Sequence, residues 1–567
     1  MLLSEIKKLH TVTTSYVSTL RQCVETSSLR KTTAIHAKLI KTSKVDSDSL
    51  FIHNHLVNAY VKCGDVWSGL HVFDEMPEKN VVSWTVLIAG FVQKGFPTEA
   101  ISIFSDMHRS NVRPNEFTLV SLLHACSSSE KLDLTCALQV YALIIRLGFM
   151  SNVYLVNAFL TALIRHCRLD EAMNVFDGFF DKDTVSWNAL LDGFLKYSCY
   201  DMPRFWHRMT SEGIKPDEFT FATVLTGLAE LSNLEMGLQV HALVVKSGHG
   251  FERCVGNALV DMYLKSRKLC DGFRAFDEIS MKDVCSWTQM AAGCLNCAEP
   301  IEALKVFNEM RKAGVKPNKF TLATGINACA NLANLEEGKK IQGLMVKLGE
   351  EVDVCVDNAL LDMYAKCGCM DEALRVFRSM GERERTVVSW TTMIMGYAQN
   401  GLFEKALEIF EAMRVETTEN AKPNYITFIC VLYACSQGGL IENGLRYFSC
   451  MRSEYGIEPG EDHYACVVSL LGRAGRIKEA EELILGMPFK ASAVVWQTLL
   501  GACRMHGDVE MAKRAAENAL VVDETDPSTY VLLSNTFADF ENWNGVRKVR
   551  EWIEKRDIKK MPGSSWL

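Results

Sequence analysis

An all-α fold, an α-solenoid superhelix of stacked helix-turn-helix repeats, is predicted by three observations. Four Ser-Trp pairs, Ser83-Trp84, Ser186-Trp187, Ser286-Trp287 and Ser389-Trp390, open near-copies of one segment, and their tryptophans stand 103, 100 and 103 residues apart. A fixed period marks an array whose units bury their apolar faces only by stacking. Apolar residues inside each copy keep helical spacing. Finally, the 567 residues show no break suited to domain boundaries: there are only 12 prolines and no Gly/Ser-rich or single-charge run. A chain of this length built conventionally would hold several domains.

The segment from Val81 to Asn115 shows the unit. Trp84, Leu87, Ile88 and Phe91 recur at i, i+3, i+4 and i+7, one apolar stripe on a helix. Gly95 breaks the run, and Ala100, Ile103, Phe104 and Met107 repeat the spacing on a second helix. Val112-Arg113-Pro114-Asn115 closes the hairpin, because proline forbids further helix. A second type of hairpin runs from Glu116, with relatives from Glu218, Lys319 and Tyr425. A third runs from Val153, with relatives at Leu50, Arg253 and Val354. Each period holds one of each type, and the hydrophobic content of 48% suits hairpins packed on both sides.

Composition excludes several classes. No apolar stretch approaches the roughly 18 residues that span a bilayer, so no membrane role is expected. A net charge of −8 and a pI near 6.0 argue against general polyanion binding, while leaving room for a nucleic acid held in a local groove. The 20 cysteines do not read as a disulfide framework. Cys126, Cys329, Cys435 and Cys503 occupy matching slots of apolar helices and read as small buried hydrophobes in a reducing compartment. Cys294 and Cys297 form a CxxC, and Cys367 and Cys369 a CxC, but neither has a second well-spaced Cys/His pair, so no metal site is expected.

These segments resemble the pentatricopeptide repeat family of plants, in its PLS subfamily. The short repeats are carried by NALVDMYLKSRKL and NALLDMYAKCGCMDEALRVF, the long ones by FTFATVLTGLAELSNLEMGLQVHALVVKSG, and the third type by VVSWTTMIMGYAQNGLFEKALEIFEAMR. The resemblance divides the chain into an N-terminal segment 1–12, a repeat array 13–492 and a C-terminal E extension 493–567 with tetratricopeptide-like helices, ending in PGSSWL. Some relatives continue into a zinc cytidine deaminase, which needs H-x-E and P-C-x-x-C. None of the 13 histidines here has Glu two residues on, and no Pro precedes a Cys. The chain is therefore expected to be no enzyme, to carry no catalytic residue and no cofactor, and to depend for editing on a DYW-type deaminase supplied in trans.

The resemblance implies a sequence-specific single-stranded RNA-binding factor of plant organelles. It would specify sites of C-to-U editing and recruit the deaminase with organellar RNA editing accessory factors. Arrays of this kind read one base per repeat with two or three side chains. By resemblance the readers are the fifth residue of a repeat and its last: Asn54 with Asn80, Thr85 with Asn115, Asn157 with Asp183, Asn188 with Asp217, Asn257 with Asp283, Thr288 with Asn318, Asn358 with Thr386, and Thr391 with Asn424. Under the family's code Asn/Asp reads U, Thr/Asn reads A, Asn/Thr reads C and Asn/Asn a pyrimidine. The long repeats carry Val120, Ala222, Ala323 and Ile429 at the fifth position and are expected to read weakly or not at all. Asn, Asp and Thr before a helix are also common caps, and the tryptophans are expected in the core rather than as stacking platforms.

Two other functions fit the same architecture. RNA stabilisation, splicing or translation control is disfavoured by the E extension. A protein-binding helical-repeat scaffold draws support from the acidic pI but does not need the alternation of polar and apolar fifth residues. The start, MLLSEIKKLHTVTTSYVSTLRQC, is Ser/Thr-rich and basic but holds Glu5 and no Arg before Arg21, a poor transit peptide. A mitochondrion is the expected location, with the chloroplast as the alternative.

Overall fold

A computed structural model describes residues 16–42, 49–128, 132–349, 353–381, 385–416 and 421–556. The segment 1–12 and the closing PGSSWL lie outside these residues. Among the described residues every regular element is helical, and the chain forms two compact units, Met1–Met281 and Lys282–Leu567.

The first unit opens with α1 (16–25) and α2 (Leu29–Thr42). It continues through α3 (Ser49–Cys63), α4 (Val66–Asp74), α5 (Val81–Gln93), α6 (Pro97–Arg109), α7 (Glu116–Ser128) and α8 (Leu134–Leu147). Then come α9 (Val153–Arg165), α10 (Leu169–Asp177), α11 (Thr184–Tyr197), α12 (Met202–Ser211), α13 (Glu218–Glu230), α14 (Leu234–Ser247), α15 (Arg253–Lys265) and α16 (Leu269–Glu278). The second unit holds α17 (Val284–Asn296), α18 (Pro300–Lys312), α19 (Lys319–Asn331), α20 (Leu335–Leu348), α21 (Val354–Lys366), α22 (Met370–Ser379), α23 (Val387–Gln399) and α24 (Phe403–Val415). It ends with α25 (Tyr425–Gly438), α26 (Ile441–Ser453), α27 (Glu461–Arg473), α28 (Ile477–Leu485), α29 (Ala493–His506), α30 (Val509–Val522), α31 (Pro527–Asp539) and α32 (Trp543–Lys555).

Odd-numbered helices open each hairpin and even-numbered ones close it. Within a unit, each odd helix from α3 onward packs on its own even partner and on the next odd helix, giving the two-layer stack of an α-solenoid. The stripes explain the stacking. Trp84, Leu87, Ile88 and Phe91 of α5 and Ala100, Ile103 and Met107 of α6 are buried, with Phe104 half-buried. Gly95 between them takes φ +79°, the left-handed conformation that a non-glycine residue adopts only under strain.

All four tryptophans are buried, so they are core residues. Trp84, Trp187 and Trp390 each meet a phenylalanine of the preceding even helix edge-to-face, Phe73 at 4.6 Å, Phe176 at 4.8 Å and Phe377 at 4.8 Å between ring centroids. Such a pair adds about 0.5–1.5 kcal/mol beyond its buried area. The glycines six residues after Trp84, Trp187 and Trp390 have a packing reason. A Cβ on Gly396 of α23 would stand 2.7 Å from Cβ of Ala365 in α21, so successive odd helices close up there.

All 20 cysteines are free thiols. Cys126, Cys329, Cys435 and Cys503 are buried as expected, and burial pushes the thiols of the last three up to about 12. Among the described residues no helix is long and apolar enough to cross a membrane.

Candidate functional site

The last residue of each polar repeat sits at the N-cap of the following odd helix, where a side-chain oxygen takes an otherwise unpaired N–H. Asn80 Oδ1 accepts from the N–H groups of Val82 at 3.1 Å and Ser83 at 3.0 Å, while the Asn80 N–H donates to Ser83 Oγ at 3.0 Å. Asp183 with Ser186, Asp217 with Thr220, Asn318 with Thr321 and Asn424 with Thr427 repeat this reciprocal box. Asn115 accepts from the Thr118 N–H at 2.9 Å, Asp283 accepts from the Ser286 N–H at 2.9 Å, and the Thr386 N–H donates to Ser389 Oγ at 3.2 Å. The capping role foreseen for these residues is thus present at all but Thr386, whose side chain takes no helix N–H, and each cap is worth about 1 kcal/mol.

The fifth residue of the preceding odd helix reaches the same cap. Asn54 Nδ2 donates to Asn80 Oδ1 at 3.3 Å, Asn157 Nδ2 to Asp183 Oδ1 at 3.1 Å, and Asn188 Nδ2 to Asp217 Oδ1 and Oδ2 at 3.0 and 3.2 Å. Thr85 Oγ1 lies 3.4 Å from Asn115 Oδ1. Thr288 and Thr391 reach their partners through a hydroxyl. Thr288 Oγ1 is 2.6 Å from Thr321 Oγ1, itself 2.9 Å from Asn318 Oδ1; Thr391 Oγ1 is 3.1 Å from Thr427 Oγ1, itself 3.0 Å from Asn424 Oδ1. Asn257 and Asp283 belong to different units. Asn358 and Thr386 are not drawn together in this way. The shorter Thr386 turns its hydroxyl to Ser389 at 3.3 Å, and Asn358 Oδ1 is buried without a hydrogen-bond partner.

Sequence reasoning missed a third member of each set, the Ser or Thr at the third position of the following odd helix. Ser83, Thr118, Ser186, Thr220, Ser286, Thr321, Ser389 and Thr427 are all buried. Ser186 Oγ donates to Asn157 Oδ1 at 2.7 Å and lies 2.8 Å from Asp183 Oδ1; Thr220 Oγ1 likewise lies 2.7 Å from Asn188 Oδ1 and 2.8 Å from Asp217 Oδ1. The hydroxyl fixes which way the asparagine amide faces. Its oxygen turns to the hydroxyl and its NH₂ to the carboxylate. The Ser of each Ser-Trp pair was the available signal, but its partner lies 29 residues away in the chain.

The carboxylates of this arrangement stay ionised. Burial pushes Asp183 and Asp217 up, but hydrogen bonds from the next helix and from Asn157 or Asn188 outweigh it and hold both below the usual carboxylate value. An ionised Asp only accepts, whereas Asn offers both a donor and an acceptor.

A second missed feature is the residue at the second position of the odd helices. Val82, Phe117, Tyr154, Val185, Phe219, Phe320, Val388 and Ile426 are apolar yet exposed, from 47% at Val82 to 78% at Tyr154. An exposed apolar side chain therefore stands three positions before the fifth residue at these eight odd helices, whereas α15, α17 and α21 carry Cys254, Cys285 and Cys355 there.

The long repeats differ at the fifth residue and at the buried hydroxyl. Their fifth residues, Val120, Ala222, Ala323 and Ile429, offer no polar group, and the third residues of the following helices are Leu155, Val255, Val356 and His463. Asn152 and Asp353 still cap α9 and α21. Neither Cys294 with Cys297 nor Cys367 with Cys369 belongs to a ligand cluster. Among the described residues the one grouping close enough for a cation is Glu218, Glu252 and Cys254 on the partly exposed surface.

Comparison with known proteins bears on this geometry. Models of the PPR repeat family match residues 79–128, 182–230 and 282–331, and the PPR repeat model matches 51–81, 358–384, 388–416 and 462–490. A putative pentatricopeptide repeat-containing protein of Arabidopsis thaliana is 36% identical over 557 residues, covering 97% of this chain and 79% of its own length. The chain belongs to the pentatricopeptide repeat family. An E motif matches residues 506–567, so this pentatricopeptide repeat protein fits the PLS type, E subgroup. A mitochondrial and a chloroplastic member from Arabidopsis thaliana are each 35% identical, over 98% and 97% of the chain and 71% and 67% of their own lengths. Of a further relative the chain spans 52%. Among solved structures, the pentatricopeptide repeat protein PPR10 from maize superposes with a TM-score of 0.57 at 18% identity, covering 96% of this chain and 89% of that one. PPR10 has also been solved in complex with an 18-nucleotide psaJ RNA element, with a TM-score of 0.55 to this chain.

Proposed function

We propose that the protein is a sequence-specific single-stranded RNA-binding factor of plant organelles that specifies sites of C-to-U editing. The observation that carries this reading is the recurrence of one polar set at one register. A fifth residue, a capping last residue and a buried hydroxyl come together at successive hairpins, beside an exposed apolar residue at the second position. Unstacked bases pack between apolar faces and are distinguished at their edges by donor and acceptor pattern. The second-position side chains supply the faces, and the fifth and last residues supply the edge. An Asp accepts from the ring N–H of U; an Asn complements A. PPR10, which shares the fold, was solved with a bound RNA.

The E motif favours editing over stabilisation, splicing or translation control. The deaminase comes in trans from a DYW-type protein, with editing accessory factors, and this chain does not deaminate alone. The location is mitochondrial; relatives include both mitochondrial and chloroplastic proteins.

With the last short repeat, Glu461 to Ser492, four nucleotides upstream of the edited cytidine, the pairs spell a target of the form YAnUUnUAnCAnnnnnC, the final C edited and n unread. Sequencing of organelle RNA in a null mutant should show lost editing at a site matching most of these positions. Losses only at sites matching no better than random organelle sequence would defeat the code, and intact editing everywhere would defeat the function.

A further inference from the structure

The polar set reappears beyond the last residue read from the sequence, in the E extension. Gln497 is the fifth residue of α29, Asp526 caps α31, and Thr529 is the buried third residue of α31. Gln497 Nε2 donates to Asp526 Oδ2 and, at 2.8 Å, to Thr529 Oγ1, while Asp526 Oδ1 accepts the Ser528 N–H at 2.9 Å. Gln replaces Asn, but the topology is that of Asn188, Asp217 and Thr220. The apolar neighbour is present too: Val494, at the second position of α29, is 61% exposed.

Stacking does not require this set. The preceding odd pair, α27 on α29, packs with Ala465 at the fifth position and buried Val495 at the third. The next fifth residue, in α31, is Val531. The polar triad is therefore confined to one hairpin of the extension, flanked by hairpins that manage without it.

Its donor pattern is specific. Both amide N–H groups of Gln497 point inward, so the amide oxygen remains as an acceptor. Burial raises the Asp526 carboxyl, but hydrogen bonds from Ser528 and Gln497 outweigh it, so it stays ionised and accepts only. Both groups thus offer acceptors to whatever lies against them. The ionised carboxylate suits a base with a ring N–H, as in uracil and guanine, and repels the ring acceptor that adenine or cytosine places there.

We infer that the hairpin of α29 and α30 is itself a base-reading unit, in which Gln497 and Asp526 bind one further nucleotide of the RNA, a uracil or guanine. The inference rests on the RNA reading above and extends the contact past the array. Counting from the last short repeat, this nucleotide is the third before the edited cytidine.

The test uses the full chain and two sets of four synthetic RNAs of the form YAnUUnUAnCAnnnnnC, one set differing only at that nucleotide and the other only at the nucleotide facing Asn188 and Asp217. Binding to the U and G forms should be about five- to a hundredfold tighter than to the A and C forms, the range of a matched base contact. Asp526→Asn retains a capping oxygen and should move the preference toward A or C, with a cooperative thermal melt showing that the variant stays folded. Equal binding of all four RNAs, while discrimination persists at the nucleotide facing Asn188 and Asp217, would overturn the inference and leave the array reading intact. Loss of discrimination at both nucleotides would overturn the array reading, and this inference with it.

Discussion

The hairpin of α11 and the hairpin of α13 are neighbours built on the same helical frame, yet only one carries a polar set. In α11, Asn188 bonds to Asp217 and accepts from Thr220. In α13, the fifth residue is Ala222 and the third residue of the next helix is the buried Val255. Both hairpins keep the exposed apolar second residue, Val185 and Phe219. In this pair of hairpins the polar set is present or absent as a whole, because in α11 each part satisfies another. A buried Thr hydroxyl without Asn and Asp beside it would go unpaired, and an Asn facing Val would lose the acceptor that orients its amide. On the proposed RNA reading, both hairpins would offer an apolar face to a base, and only the first would read its edge.

The largest expected effect tests whether the polar set reads. Asn188→Ala with Asp217→Ser, which keeps a cap, should weaken binding of the matched RNA by about 1–3 kcal/mol and remove the preference for U at that nucleotide. Ala222→Ser in the neighbouring hairpin should leave every preference unchanged. A fluorescence titration against base-substituted RNAs checks both, and equal losses from the two would erase the distinction between the hairpins. Asn318→Asp should shift the preference at the nucleotide facing Thr288 from A toward G.

Stability offers a reciprocal pair. Thr220→Val removes the hydroxyl that Asn188 and Asp217 share and should destabilise the protein by about 1–3 kcal/mol, the cost of polar groups left without partners. Val255→Thr places a hydroxyl where no partner waits and should cost a similar amount, of order 1–3 kcal/mol. Urea unfolding of the two variants measures this, and a neutral Thr220→Val would show that the set is not coupled. Gly396→Ala should cost less. Overpacking against Ala365 is worth about 1–3 kcal/mol, offset by roughly 1 kcal/mol of helix propensity.

The smallest effect concerns His463, which stands where polar hairpins have Ser or Thr. Its Nδ1 accepts the Gly460 N–H at 3.2 Å and its Nε2 donates to the Tyr425 carbonyl at 2.9 Å. Burial depresses its pKa below the ordinary 6.5, against the raising effect of these bonds and of Asp462. The unfolded chain therefore binds the proton first. The stability from neutral His463 is complete above the unfolded value and is lost as pH falls through the folded one. Hydrogen exchange in α27 should accelerate on acidification, and His463→Gln should flatten that response. Asp183 and Asp217 act at lower pH. Their pKa values are depressed in the fold, so their contribution holds above about 3.9 and is lost as pH falls further.

The sequence by itself determined the parts that are local. Helical stripes such as Trp84 to Phe91, the turn at Gly95 and the caps at Asn80, Asp183 and Asp217 depend on residues within a turn or two of one another, and a repeated motif shows them many times over. The pairing of fifth with last residues was legible only through resemblance to a family. What the tertiary structure decided was which side chains meet across stacked hairpins. The buried Thr220 faces Asn188 from 32 residues away, Asp526 faces Gln497 from 29, and Gly396 admits Ala365 where two odd helices close up. The same structure left Phe219 exposed and Thr386 turned away from Asn358. Those outcomes depend on the rotation and spacing of one helix against the next, which packing of whole side-chain layers sets and no local run of residues encodes.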